Sequence, residues 1–288
     1  MKKCSCVLSL SLLCSTSLAA CSDDLDPSSW VNELRLLAVQ ADSPFALSGQ
    51  TVELDALAFD PAGRVLSWGW GTCFDANSTV ATDCLHTLSF ESLNIATNAP
   101  THSLLVPATD APYLGVAVVV CPGTIGRGTT AGVPVTCTDP SGRVLSISEF
   151  EVGVKRLYLR EPALNHNPSI SELSWDGVPW PEGELKTSAC KTSKAGACDE
   201  FVEHKLSVLA PGASEASVDR DQQPIQESAV VQYYATGGEF EDDVRLFDTA
   251  ENTWQARRED AGRLITLWFV VRDDRGGVSW ITRQVQVP

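Results

Sequence analysis

The chain has 288 residues and a formal net charge of −16. A protein this acidic is a poor candidate for binding nucleic acid or for adsorbing directly to anionic lipid, because both depend on basic residues. Eight tryptophans, a single methionine and abundant Val, Leu and Thr favour strands over helices, and 43% apolar residues are enough for a core.

Residues 1–21 have the parts of an export signal. Two lysines precede an apolar segment that ends in the small-residue box Leu18-Ala19-Ala20-Cys21. The apolar stretch begins at Cys6 and is interrupted by serines, so it is shorter than the roughly 20 residues of a membrane-spanning helix. Cleavage before Cys21 leaves a chain of 268 residues with 19 basic and 37 acidic side chains, a net charge of −18. Ordinary secretory cleavage after Ala19 is the alternative.

This signal resembles that of bacterial lipoproteins. In that family a diacylglycerol is attached to the cysteine thiol, here that of Cys21, and the new amino terminus is usually acylated as well. The resemblance implies a lipoprotein signal peptide at residues 1–20 and a membrane partner reached through a lipid anchor on Cys21. Ser22, which follows the cysteine, favours the outer membrane of a Gram-negative bacterium. Residues 21–32 are expected to form a lipidated acidic linker, most of it too polar to pack.

From residue 33 onward the chain is a series of short segments with period-2 alternation, the pattern of half-buried strands. Leu66, Trp68 and Trp70 fall on one face of such a segment, as expected for a central strand whose aromatic residues enter a core. The strands predicted in the first half are 34–40, 51–59, 64–71, 87–97, 102–106, 114–121 and 143–154.

The second half repeats this plan. Residues 64–74 can be aligned with residues 230–240, each a strand followed by glycine and a closing Phe, and residues 116–120 match residues 267–271. The repeat and the strand spacing predict an all-β protein with two tandem immunoglobulin-like β-sandwich domains. We expect domain 1 to span residues 33–154 and domain 2 to span residues 155–288.

Two stretches in the second half are the most specific, Tyr233-Tyr-Ala-Thr-Gly-Gly-Glu-Phe240 and Asp274-Arg-Gly-Gly-Val-Ser-Trp280. Behind a lipobox, tandem units of this kind resemble a broad group of surface lipoproteins of large-genome Gram-negative bacteria with immunoglobulin-like or fibronectin-like domains. Most members of that group have no assigned activity, so the resemblance implies a location and a fold.

The alignment also predicts insertions. The first copy inserts residues 121–138 where the second has a tight hairpin, and the second copy has an inserted loop at about residues 166–200. Asp60-Pro-Ala-Gly-Arg-Val-Leu-Ser67 nearly duplicates residues 139–146, and we interpret this as one turn chemistry used twice. Loops on a rigid sandwich are where such domains usually bind partners.

Six cysteines besides Cys21 remain in the mature chain, an even number that indicates disulfides in an oxidising compartment. Six cysteines allow about 15 pairings. We favour the three sequence-local pairs, which are Cys73–Cys84, Cys121–Cys137 and Cys190–Cys198. Zinc binding is the alternative, and it is disfavoured because no C-x-x-C pair occurs.

The sequence contains no HExxH, no G-x-S-x-G and no P-loop, so it predicts neither an enzyme nor a cofactor. A Ser-His-Asp triad can be dispersed along a chain, which keeps a hydrolase on the exported side as an alternative. Two weaker candidates remain. Glu239, Glu241, Asp242 and Asp243 offer oxygen ligands for calcium, and Trp175 with Trp180 offers a stacking surface for a sugar, although solvated turns and core packing are the favoured interpretations.

The sequence therefore predicts a membrane-anchored cell-envelope lipoprotein with a non-catalytic binding or structural role. A calcium-dependent or glycan-binding surface adhesin is the more specific alternative. An envelope protein or a glycan is the expected class of partner, and nucleic acid is not.

Overall fold

A computed structural model describes residues 26–73, 87–128, 134–159, 165–194, 197–218, 223–249 and 251–288. The predicted signal peptide, Cys21 and Cys84 lie outside these residues. In the described part of the chain, no helix has the length and apolar character needed to cross a membrane.

The first unit is built from short strands. They are β1 (Arg35–Ala41), β2 (Thr51–Phe59), β3 (Ser67–Cys73), β4 (Asn94–Thr97), β5 (Thr101–Leu105), β6 (Tyr113–Cys121), β7 (Thr124–Arg127), β8 (Val135–Thr138) and β9 (Glu151–Tyr158). Sheet β1-β2-β5 faces sheet β4-β3-β6-β9, and β7-β8 is a separate hairpin. Trp68 and Trp70 point from β3 into the core between the sheets, as predicted.

The second unit has the same plan. Its strands are β10 (Glu172–Trp175), β11 (Val178–Pro179), β12 (Glu184–Lys186), β13 (Cys190–Lys194), β14 (Ala197–Phe201), β15 (Glu203–Leu209), β16 (Ala216–Val218), β17 (Pro224–Gln226), β18 (Ala229–Ala235), β19 (Glu239–Phe240), β20 (Val244–Leu246), β21 (Glu251–Gln255), β22 (Leu264–Asp273) and β23 (Val278–Gln286). Sheet β11-β10-β15-β21-β19 faces sheet β12-β23-β22-β18-β20.

Both units have the strand order of an immunoglobulin-like sandwich. In the first unit β1, β2 and β5 lie in one sheet, and β3, β6 and β9 lie in the other. The equivalent strands of the second unit are β10, β15 and β21 in one sheet, and β18, β22 and β23 in the other. Each unit also has one parallel contact with its last strand, the Phe45–Tyr158 bridge in the first and the pairing of β12 with β23 in the second. The predicted all-β fold of two tandem sandwiches is therefore confirmed.

Three details of the sequence prediction are corrected. Residues 143–150 form turns and one isolated bridge between Val144 and Thr138 rather than a strand, because the carboxylates of Asp139 and Glu149 accept hydrogen bonds from backbone N–H groups of this segment. Strand β9 runs through Tyr158, past the expected boundary at residues 154 and 155. The expected inserted loop at 166–200 is largely strand, because Leu173 enters the core and β10 pairs with β15.

The two sandwiches lie face to face. Sheet β1-β2-β5 of the first unit packs on sheet β12-β23-β22-β18-β20 of the second through Leu37, Leu57, Phe59, Tyr234 and Trp268. The rings of Phe59 and Trp268 are 4.8 Å apart, and Trp268 is only 3% exposed. Four sheets are therefore stacked, and the middle two bury apolar side chains on both faces.

The segment before β1, residues 28–31, forms a strap across this interface. Ala235 N donates to Ser29 O at 2.9 Å, and Val31 N donates to Ala235 O at 2.8 Å. The guanidinium of Arg257 lies 4.0 Å from the centre of the Trp30 ring, and Val31 is buried against Trp268. The predicted linker 21–32 is therefore wrong in this part, because backbone pairing and an apolar contact fix the strap to the second unit.

Lys155 is buried at the junction of the two units. Its ammonium group donates a hydrogen bond to Gly276 O in the β22–β23 hairpin, and Arg272 and Asp273 lie nearby. Burial, with a smaller contribution from the charge of Arg272, lowers the pKa of Lys155 to about 8.

We expect Trp268→Ala to destabilise the protein by about 3 kcal/mol, because it opens a cavity between the two units. Urea unfolding followed by tryptophan fluorescence measures the change. Leu105→Ala is the matched control, since Leu105 is 65% exposed and should change stability little. Equal stability of the two variants would contradict the face-to-face packing.

The stability of the protein should rise with pH through the titration of Lys155. In the unfolded state this side chain keeps its proton up to the ordinary lysine pKa of 10.5, whereas the folded state releases it near pH 8. Between these values the unfolded state binds more protons, so wild type should gain about 2 kcal/mol relative to Lys155→Met from about pH 7.5 to 9.5. Urea titrations at both pH values measure this. Lys205→Met, at an exposed ion pair, should keep the wild-type slope.

Candidate functional site

Two of the three predicted disulfides are formed between described residues. Cys121 is bonded to Cys137 and Cys190 to Cys198, with Cα atoms 5.7 and 5.5 Å apart. Cys73 is also disulfide-bonded, and its predicted partner Cys84 lies outside the described residues. The Cys121–Cys137 bond ties the β7–β8 hairpin to the end of β6, and closing a loop of this size stabilises by about 3 kcal/mol.

The four acidic residues considered for calcium do not share a ligand position. Glu241 and Asp242 form ion pairs with Arg245 at 3.0 and 2.6 Å, and Asp243 accepts a hydrogen bond from the Ser28 hydroxyl. Glu239 is 3.8 Å from Arg257. Across the described ranges, no group of three or more His, Cys, Asp and Glu side chains is placed to hold a metal ion. Two of the carboxylates thus share one guanidinium as their ion-pair partner.

The two tryptophans considered for sugar stacking are part of the second core. Trp180 is 4% exposed and donates its indole N–H to Gly183 O at 3.3 Å. Trp175 packs edge-on against Trp180, with ring centres 5.0 Å apart, and lies 5.8 Å from Trp254. The stacking hypothesis is therefore wrong for Trp180, because its ring is covered by the protein.

A linear set of hydrogen bonds connects an acid, a histidine and a hydroxyl. His204 Nδ1 is 2.8 Å from Asp176 Oδ2, and His204 Nε2 is 2.6 Å from Thr187 Oγ1. This connectivity is that of a hydrolase triad with threonine in place of serine. Thr187 is buried, however, so its hydroxyl is covered, and the bonds fix the β10–β11 turn and residue 187 to β15. Sequence reasoning missed this set because its members are 11 and 17 residues apart.

The described surface has open, polar cavities. One of about 550 Å³ lies between the strap and the first unit and is lined by residues including Asp26, Trp30, Arg35 and Glu151. Another of about 360 Å³ lies on the outer sheet of the second unit beside Glu203 and Glu239. The first cavity marks the place where the chain from the predicted anchor joins the folded body.

The duplicated Asp-Pro-x-Gly-Arg-Val-Leu-Ser turns lie at this same end of the first unit. Arg35 pairs with Phe59 at the end of β2, and Ser67 at the start of β3 pairs with Cys121. The turn after β2 and the segment after β8 therefore project from the end where the chain enters. The two turns share one chemistry in the sequence, but only the fold makes them neighbours.

Several solved structures have a distant likeness to this chain. No family model matches it, and no curated protein matches it. Among solved structures it is similar to murine CEACAM1b, with 10% identity over 87% of this chain and 100% of that chain and a TM-score of 0.23.

Two further solved structures have comparable values. A bacterial ice-binding adhesin has 11% identity over 89% of this chain and 65% of that chain, with a TM-score of 0.24. The N-terminal domains of the outer capsid protein Hoc of bacteriophage RB49 have 10% identity over 89% and 71%, with a TM-score of 0.24. Likenesses this weak assign no function, and the immunoglobulin-like fold rests on the strand order.

Millimolar calcium should leave the melting temperature of the protein unchanged, because Glu241 and Asp242 pair with Arg245 and the four carboxylates do not converge on one ligand position. Differential scanning calorimetry measures this at about 5 mM calcium, a level that saturates typical extracellular calcium modules, with the same concentration of magnesium as control. A rise specific to calcium, lost in Glu241→Ala with Asp243→Ala, would contradict this assignment of the acidic side chains.

Proposed function

We propose that the protein is a cell-envelope lipoprotein, held in the outer membrane by lipid on Cys21, with a non-catalytic role in binding or envelope structure. The observation that carries the proposal is the box Leu18-Ala19-Ala20-Cys21 at the end of an apolar segment of signal-peptide size. The disulfides of the described residues support export, because such bonds persist outside the reducing cytosol.

The position of the strap indicates how close to the membrane a lipid on Cys21 would hold the protein. Contacts with the second unit begin at Ser28, which is only seven positions after Cys21. An extended chain spans at most about 3.6 Å per residue, so this connection reaches no more than about 25 Å. The anchor would hold the folded body close to the lipid, with the strap-bearing end towards it.

The non-catalytic role is supported by how the candidate side chains are used. Arg245 forms ion pairs with two of the four acidic residues and the protein covers Trp180, which weighs against a calcium-dependent or glycan-binding adhesin. One observation favours a hydrolase instead, the connection of Asp176, His204 and Thr187. The buried Thr187 hydroxyl weighs against it, because a nucleophile must reach its substrate.

Replacing Cys21 with serine should remove the protein from the membrane fraction or leave its signal peptide uncleaved. Metabolic labelling with palmitate and the mass of the N-terminal peptide measure both outcomes, and wild type should carry the label. Cys14→Ser is the matched control, because it changes a cysteine in the same apolar segment and should leave labelling intact. An unlabelled, soluble wild type that begins at Ala20 would overturn the proposal.

A further inference from the structure

The end of the first unit at which the chain enters presents an exposed apolar surface. Val65, Val144 and Ile147 are 63%, 61% and 65% exposed. Val65 and Val144 belong to the two duplicated turns, in which each valine follows an arginine, Arg64 or Arg143, and Ile147 directly follows the second turn. We call these five residues the tip.

The tip is held rigid by side chains that bond to its own backbone. The Asp60 carboxylate binds Arg64, and Gly63 takes a φ of +63° that closes the turn. In the second copy Asp139 accepts hydrogen bonds from Ser141 and from Arg143 N. The apolar side chains are therefore fixed in an exposed position rather than free to fold back.

An ion pair joins the second turn to the start of β9. Arg143 donates to both oxygens of Glu149 at 3.1 and 2.9 Å, and this pairing, together with hydrogen bonds from Ser146, lowers the pKa of Glu149 to about 2. The hydrogen bond to Asp60, and beyond it the charge of Glu149, raises the pKa of Arg64. The two turns are thus neighbours, and their charges are internally paired.

The position of the tip relative to the anchor follows from the strand register. The tip extends beyond the paired ends of β1, β2, β3 and β6. The same end carries Arg35, the first residue of β1, and the cavity lined by Asp26 and Glu151. Asp26 is five positions after Cys21. A lipid on Cys21 is therefore tethered to the end of the molecule that exposes these three aliphatic side chains.

We propose that the tip docks on the lipid surface that holds the anchor, with Val65, Val144 and Ile147 in the interfacial region of the bilayer and Arg64 and Arg143 at headgroup level. This inference rests on the proposed lipid anchor. The chain is too acidic to adsorb on its own, but a tether of a few residues gives the tip a high effective concentration at the lipid surface. The anchor supplies affinity, and the tip sets orientation.

Aliphatic side chains on a rigid turn suit a lipid interface better than a protein partner. Protein interfaces draw most of their binding energy from Trp, Tyr and Arg that fill pockets. The tip has no aromatic residue, and both of its arginines already pair with carboxylates of their own turns. An apolar surface beside the anchor point is also the surface that the anchor would bring to the lipid first.

The test uses full-length acylated protein in vesicles of phosphatidylethanolamine and phosphatidylglycerol. A fluorescent probe is placed at Ile147→Cys or, as the matched control, at Leu105→Cys. Both positions are 65% exposed, and Leu105 pairs with Thr51 at the opposite end of the first unit. Disulfide mapping checks that each variant keeps the native pairs. Quenching by a lipid-borne nitroxide should be at least about threefold stronger at residue 147 than at residue 105.

A second set of variants tests the apolar side chains themselves. With the probe at Val65→Cys, adding Val144→Asp and Ile147→Asp should reduce quenching to the level of the control position, whereas adding Leu105→Asp should leave it unchanged. Hydrogen exchange of the backbone, compared between vesicle-bound protein and soluble Cys21→Ser protein, provides an independent readout. Slower exchange at residues 61–66 and 142–148 is expected in vesicles.

The outcomes separate this inference from the proposed function. Equal quenching at residues 147 and 105 in a protein whose N-terminal peptide is acylated would overturn the docking and leave the anchor intact. An N-terminal peptide without acyl chains would overturn the anchor and the docking that depends on it. A probe response that requires added envelope proteins rather than lipid would assign the tip to a protein partner and reject the lipid surface.

Discussion

The structure depends on the outward face of one central strand. Along β22, Ile265, Leu267, Phe269 and Val271 enter the core of the second sandwich, while Trp268 and Val270 between them face the first. A strand in a two-layer sandwich usually has a polar outer face, because that face meets water. Here the alternate residues are apolar too, so the second unit is complete only when the first covers it.

That constraint explains the position of the other elements. Sheet β1-β2-β5 supplies Leu57 and Phe59 to cover Trp268, and the strap closes the side of the contact through Val31. Hydrogen bonds also cross the interface. Gln40 Nε2 donates to Val278 O at 2.7 Å, and the Lys155 ammonium group donates to Gly276 O. These contacts hold the two units in one fixed orientation relative to each other.

The features that would face the membrane in the proposed role all lie at one end of the first unit. The strap, the cavity beside Trp30 and the duplicated turns with Val65 and Val144 share the end at which the chain enters. A protein tied there by a short acylated segment would present the opposite end of its first unit, where Leu105 pairs with Thr51, away from the membrane.

The strands, the repeat and two local disulfides could be predicted from the sequence, because these depend on side-chain alternation and on short separations along the chain. The alignment of residues 64–74 with 230–240 found equivalent strands, β3 and β18, and the pairs Cys121–Cys137 and Cys190–Cys198 formed as the nearest partners. The lipoprotein signal that ends at Cys21 is also predicted from the sequence, and it remains a prediction.

The packing of the two units on each other could not be predicted from the repeat. An alternating pattern predicts a strand, but it does not identify the surface that covers the outer face of that strand. The packing of the two units and of residues 28–31 could therefore not be predicted from the sequence. Trp180 is aromatic in the sequence whether it stacks on a ligand or fills a core, and its 4% exposure decides for the core. The position of the tip likewise depends on strand register, because strand pairing brings together residues that are far apart in the sequence.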